Sequence, residues 1–109
     1  MDITMLHDTF AALGDATRFA IVEKLLAEGE LPAGKLQDVG ILSPPAISRH
    51  LKVLREAGIV TQRVDKQHRM YSVRPQAVRT IGEWVMNYQE FWNSSLDRLE
   101  AVVRNRGQT

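Results

Sequence analysis

The chain of 109 residues is 44% hydrophobic, 25% charged and 6% aromatic, the make-up of one small globular domain with a single core over 1–109. It contains no cysteine, which excludes a disulfide framework, thiolate metal sites and cysteine nucleophiles. Net charge is +1, yet residues 46–75 carry seven basic side chains (Arg49, Lys52, Arg55, Arg63, Lys66, Arg69, Arg74) against Glu56 and Asp65, a local +5 that leaves −4 for the remainder. A polyanion responds to the local field, so a basic third of the chain fits a phosphate-binding face as well as it fits a solvated charged surface. Aliphatic runs such as Phe19-Ala20-Ile21-Val22 are only about four residues long, and Met1 to Thr4 offers no basic start. No membrane span or secretion signal is expected, and the cytoplasm is the default compartment.

In chain order, Ile3, Leu6, Phe10 and Leu13 predict an amphipathic first helix interrupted at Gly14-Asp15. Asp15 can cap a second helix over roughly 16–28 whose apolar side carries Phe19, Val22, Leu25 and Leu26, with Gly29 as its stop. A short third helix, Ala33 to Val39, turns Leu36 and Val39 inward. Ser43 followed by Pro44-Pro45 is a strong helix start, because proline lacks an amide that the first turn would leave unbonded anyway. This fourth helix, 44–57, has an apolar stripe of Ile47, Leu51 and Leu54 and an opposite side of Pro45, Ser48, Arg49, Lys52, Arg55 and Glu56.

Two β-type runs follow, Ile59 to Val64 and Arg69 to Val73, joined by the charged tip Asp65-Lys66-Gln67-His68. From Pro75 onward the only glycine before Arg104 is Gly82, and Val78, Ile81, Val85, Tyr88, Trp92, Leu99 and Val102 form a heptad-like stripe that only Ser95 breaks. One continuous helix over 76–104 is expected, roughly 43 Å long at 1.5 Å per residue, with Asn105 to Thr109 frayed. Such a helix projects from or crosses a small domain, so a second copy of the chain is expected on Leu6, Phe10, Val85, Tyr88, Trp92 and Leu99.

A short helix, a turn and a second helix with one apolar and one basic face is a helix-turn-helix, and a charged hairpin directly after it makes a winged helix. The expected fold is therefore mainly α with a small β-hairpin: about five helices, a two-stranded wing, and dimerisation through the first and last helices. The strings Leu13-Gly14-Asp15-Ala16-Thr17-Arg18 and Leu42-Ser43-Pro44-Pro45-Ala46-Ile47-Ser48-Arg49-His50-Leu51-Lys52-Val53-Leu54-Arg55-Glu56-Ala57-Gly58-Ile59-Val60 resemble the signature of the ArsR family of dimeric winged-helix repressors. Arg69-Met70-Tyr71 suits that family's wing strand, and Phe91-Trp92 with Leu96-Asp97-Arg98-Leu99 looks like a branch without the well-known metal sites.

The resemblance implies that Ser48, Arg49 and Lys52 read an operator in double-stranded DNA. The chemistry agrees: Arg49 can fork two hydrogen bonds to guanine, Ser48 can bond a base edge or phosphate, and Lys52 and Arg55 suit phosphate oxygens. Relatives usually carry a polar side chain where this chain has Pro44, which offers an aliphatic contact to a thymine methyl instead. The candidate DNA-binding set is Ser43, Pro44, Pro45, Ser48, Arg49, His50, Lys52 and Arg55 on the reading helix, with Arg63, Lys66, His68 and Arg69 on the wing.

No cofactor is expected. Family members that sense metals use cysteines or His/carboxylate sets, and here His7, His50 and His68 are scattered while Glu83, Glu90 and Asp97 share the last helix with no histidine. An unidentified small-molecule effector between subunits, near Trp84, Tyr88 or Trp92, is compatible with the sequence, though those rings suit a dimer core better. Three other readings compete with the repressor: a winged-helix protein-interaction module without DNA binding, a metal-responsive repressor using His and carboxylates, and an enzyme. The last has no nucleophile-base pair or phosphate loop to support it.

Overall fold

The computed structural model of the protein describes residues 3–107; the expectations placed on Met1, Asp2, Gln108 and Thr109 lie outside them. Helix α1 (Ile3–Leu13) leads into α2 (Ala16–Glu28), capped by Asp15, whose carboxylate accepts the Arg18 amide at 3.0 Å. The Arg18 side chain in turn donates from Nε to the Ala12 carbonyl at 2.7 Å, closing the end of α1. Strand β1 (Leu31–Pro32) and a 3₁₀ helix (Ala33–Val39) precede α3 (Pro44–Glu56). Strands β2 (Val60–Asp65) and β3 (His68–Val73) form the hairpin, and α4 (Pro75–Asn87) and α5 (Gln89–Arg106) complete the chain.

The core gathers Ile21, Val22 and Leu25 of α2, Leu36 of the 3₁₀ helix, Ile47, Leu51 and Leu54 of α3, and Ile59, Val60 and Tyr71 of the sheet. The α3 stripe is the one its spacing predicts. On α2 the stripe differs: Ile21 is buried, whereas Phe19 and Leu26, about 100° around the helix from the stripe's centre, are exposed. On α1 the buried side is Leu6, Thr9 and Ala12. Leu6, expected to face a second copy, therefore lies in its own chain's core, and Phe10 packs edge-on against Trp84 of α4 with ring centroids 5.5 Å apart.

The wing is three-stranded rather than two-stranded. β1 pairs antiparallel with β3 through Leu31↔Tyr71 and Pro32↔Met70, giving the order β1-β3-β2. A two-residue strand is too short to show alternation, and its proline, which cannot donate to a ladder, is tolerated because β1 is an edge. The 3₁₀ helix and β1 together close the gap between α2 and the sheet.

The expected single helix over 76–104 comes as two. The α4 segment ends in a tight turn in which the Tyr88 amide bonds the Val85 carbonyl at 3.2 Å. The Trp92 indole N–H reaches back to the same carbonyl, also at 3.2 Å, a side-chain donor inserted into the helical ladder. Nothing in the sequence around Tyr88 is a helix breaker, so periodicity could not reveal it. Asn105 and Arg106, expected to be frayed, are helical.

No residue of α5 is buried, and Leu96, Leu99, Val102 and Val103 are exposed along it. The described molecule spans 67 × 32 × 20 Å with a radius of gyration of 18.8 Å, against about 13 Å for a compact chain of this length. Its accessible surface of 7848 Å² compares with about 6,100 Å² for a compact monomer of 12.3 kDa.

Candidate nucleic-acid interface

Helix α3 is held from behind by the core and started by Ser43, whose Oγ accepts the Ala46 amide at 3.3 Å while its carbonyl takes the Ile47 amide at 3.1 Å. Pro44 and Pro45 occupy the first turn. Because Ile47, Leu51 and Leu54 are no more than 1% exposed, rotation of the helix is fixed, and Pro44, Pro45, Ser48, Arg49, Lys52 and Arg55 are turned to solvent. His50 is half-buried. The Asp15 carboxyl of the α2 cap is held below the usual carboxylate range by the Arg18 amide first, then by the Arg18 guanidinium and the neighbouring His50.

The chain leaves α3 through Gly58, whose φ of 78° lies in the left-handed region that an L side chain avoids. A Cβ there would also come within 3.2 Å of the Arg74 guanidinium, which donates to the Gly58 carbonyl at 3.2 Å. This contact sets the angle between the reading helix and the hairpin. At the hairpin tip, Asp65 and His68 are paired across the strands and Lys66 and Gln67 form the turn, with Lys66 at a φ of 58°.

The basic third of the chain separates into engaged and free cations. Arg63 is clamped by Glu30, with Nε 3.0 and 2.9 Å from the two carboxylate oxygens and a terminal nitrogen 2.6 Å from Oε1. That charged hydrogen bond first, and the Coulomb attraction second, raise the Arg63 pKa above its ordinary value. Arg55 donates to Gln62 Oε1 at 2.7 Å, which ties the end of α3 to β2 but leaves its charge uncompensated. Lys52 stands 4.0 Å from Glu56, a loose exposed pair. Among the described residues, Arg49, Lys66 and Arg69 have no ion pair or hydrogen-bonded side-chain partner. Lys24, bonded to Asp38 at 3.1 Å, braces α2 against the 3₁₀ helix and lowers the Asp38 pKa.

Residues 15–62, which span this helix pair and the start of the wing, match the sequence profile described as "Bacterial regulatory protein, arsR family". The chain is 35% identical over 96 residues to the HTH-type transcriptional regulator Rv2034 of Mycobacterium tuberculosis, covering 88% of this chain and 86% of that one. The chain belongs to the arsR family of bacterial regulatory proteins. It is also 35% identical over 97 residues to the arsenical resistance operon repressor of Escherichia coli, covering 88% of this chain and 80% of that protein. The crystal structure of an ArsR family transcriptional regulator, RHA00566, shares the fold with a TM-score of 0.75 at 22% identity, over 86% of this chain and 96% of that one.

In this arsR-family chain the reading-helix residues named from sequence fall on one exposed side, except that His50 is half-buried. The wing residues Lys66, His68 and Arg69 cluster at the exposed hairpin tip, whereas Arg63 is drawn back toward β1 by Glu30. Sequence reasoning missed Glu30, 33 residues from its partner Arg63, Gln62, seven residues from Arg55, and Ile41, a fully exposed apolar residue just before the Ser43 cap. The signal for Ile41 was available: it is a β-branched residue in a turn between Gly40 and a helix cap.

Among the described residues, no group of three or more His, Asp or Glu side chains is placed to hold a metal ion, and no helix is long and apolar enough to cross a membrane. Trp84, Val85, Tyr88, Phe91 and Trp92 line an open groove of about 340 Å³ at the α4–α5 break.

Proposed function

We propose that a homodimer of this chain is a transcriptional repressor in the cytoplasm that binds a pseudo-palindromic operator. The observation that carries this reading is the division of α3: one side fixed in the core by Ile47, Leu51 and Leu54, the other presenting Ser48, an unpaired Arg49 and Lys52 to solvent. A helix so mounted fits the major groove, about 12 Å wide, with Arg49 forking onto a guanine and Lys52 and Arg55 on phosphates. Ser43, Pro44 and Pro45 enter with the first turn, and the half-buried His50 completes the set at the edge of that side. Lys66, His68 and Arg69 reach the neighbouring backbone or minor groove from the wing. Arg63 takes part only when it leaves Glu30. The names of the two relatives, a transcriptional regulator and an operon repressor, support the regulatory role.

The second copy covers Val85, Tyr88, Trp92 and Leu99, joined by the outer side of Phe10, with 76–104 supplying the main contact; Leu6 contributes from within the core. The surplus of exposed surface on α4 and α5 supports this pairing. Two-fold symmetry then puts the reading helices about 34 Å apart, on successive major grooves. A small-molecule effector between the subunits would derepress only by favouring a dimer geometry that no longer matches that spacing.

Selection of duplexes from a random library followed by footprinting tests the proposal. Two protected half-sites about 10 base pairs apart, centre to centre, are expected. Enrichment of no sequence overturns it.

A further inference from the structure

The start of the reading helix lacks what helix starts usually offer a nucleic acid. A helix N-terminus binds phosphate through free amide N–H groups. Here the first two positions are Pro44 and Pro45, which have none, the Ala46 amide is bonded to Ser43 Oγ, and the Ile47 amide is bonded to the Ser43 carbonyl. What this end presents instead is aliphatic. Both proline rings are exposed, and Ile41, two residues before the cap, is 109% exposed, the most exposed large hydrophobic side chain among the described residues. Ile41 is not loose by default: its neighbour Leu42 is packed against the core, which pins the turn and holds Ile41 outward. An apolar lip is thus joined directly to the cationic side of α3, where Ser48 and Arg49 follow within about one helical turn.

In a major groove the aliphatic feature that a lip of this kind can recognise is the thymine 5-methyl group, which distinguishes A·T from T·A as well as from G·C. We propose that Ile41, with Pro44 and Pro45, reads thymine methyl groups beside the base contacted by Arg49. The inference rests on the operator reading given above. It makes Ile41 a specificity-determining residue at a position in front of the reading helix.

Replacing thymine with deoxyuridine deletes only the methyl group and leaves every hydrogen-bonding atom in place. The test takes the operator recovered by selection, substitutes each thymine singly, and measures Kd by fluorescence anisotropy for the full-length protein and for Ile41→Ser. The wild type is expected to lose about 3- to 5-fold in affinity at one or two thymines per half-site, the effect of burying one methyl group. Ile41→Ser, whose side chain is exposed and outside the core, is expected to fold normally and to narrow the thymine-to-uracil difference at those positions. Pro44→Ser serves as the second variant and narrows the same difference. Selective operator binding with no thymine-to-uracil difference in the wild type overturns the methyl-reading proposal alone. A difference that persists unchanged in both variants also overturns it, since the methyl group is then read elsewhere. Recovery of no operator at all brings down both this proposal and the repressor reading.

Discussion

Arg49 and Arg63 carry the same charge within the same basic third of the chain, yet their surroundings give them different work. Arg49 has no partner among the described residues, whereas Arg63 is gripped by both oxygens of Glu30. The sequence shows the excess of charge; it cannot show that a carboxylate 33 residues earlier neutralises one member of it. Glu30→Gln is expected to release Arg63 to the phosphate backbone, strengthening non-specific duplex binding at low salt and steepening the slope of log K against log salt by about one. A slope unchanged from wild type would mean that Arg63 points away from DNA whether or not it is paired.

Asp15 allows a pH prediction. Its carboxyl is held below its ordinary value chiefly by the Arg18 amide, so the folded state binds its proton less readily than the unfolded state. The stability it contributes is complete above the unfolded pKa, about 4, and is lost as pH falls through the lower folded value. Asp15→Asn keeps a capping oxygen but no charge, and its melting temperature is expected to fall less between about pH 5 and pH 2 than that of wild type. Parallel pH profiles for the two proteins would contradict the assignment.

At the scale of elements, the parts of the fold that follow from side-chain periodicity and capping were legible. Ser43-Pro44-Pro45 started a helix, Ile47, Leu51 and Leu54 faced the core, and Pro75 opened α4. The features that were not legible depend on contacts between distant residues. The β1 strand exists only because Leu31 and Pro32 find Tyr71 and Met70, and Phe19 and Leu26 look like core residues until Ile21 takes that place. The α4–α5 break is local by contrast, its indole donor lying seven residues from the carbonyl it bonds, but no breaker residue signals it. Trp92→Phe retains an aromatic ring but removes the hydrogen bond to Val85. Loss of about 1 kcal/mol in unfolding free energy is expected in urea, with little change in helical circular dichroism. An unaltered midpoint would show that the tight turn at Tyr88 maintains the break alone.

The described molecule is more extended than a compact chain of its length, and α5 leaves Leu96, Leu99, Val102 and Val103 exposed, the stripe that was visible in the sequence and on which the proposed second copy rests. The site was legible as a set of residue types on one helix face, but the division of its cations into free and clamped was not. Leu99 is 60% exposed, so Leu99→Glu leaves the monomer fold intact and is expected to shift sedimentation equilibrium from dimer toward monomer, weakening operator binding with it. A variant that stays dimeric would move the interface away from α5.

Whether the exposed side of α3 reads DNA through Arg49 is decided by fluorescence anisotropy of wild type and Arg49→Ala on operator and scrambled duplexes across a salt series. Selective wild-type binding that weakens steeply with salt is expected. Arg49→Ala is expected to lose roughly 1–3 kcal/mol on the operator, with only a small loss on scrambled DNA and an unchanged melting temperature. Wild-type protein that binds neither duplex at low salt, or an Arg49→Ala variant as selective as wild type, would contradict that role for Arg49.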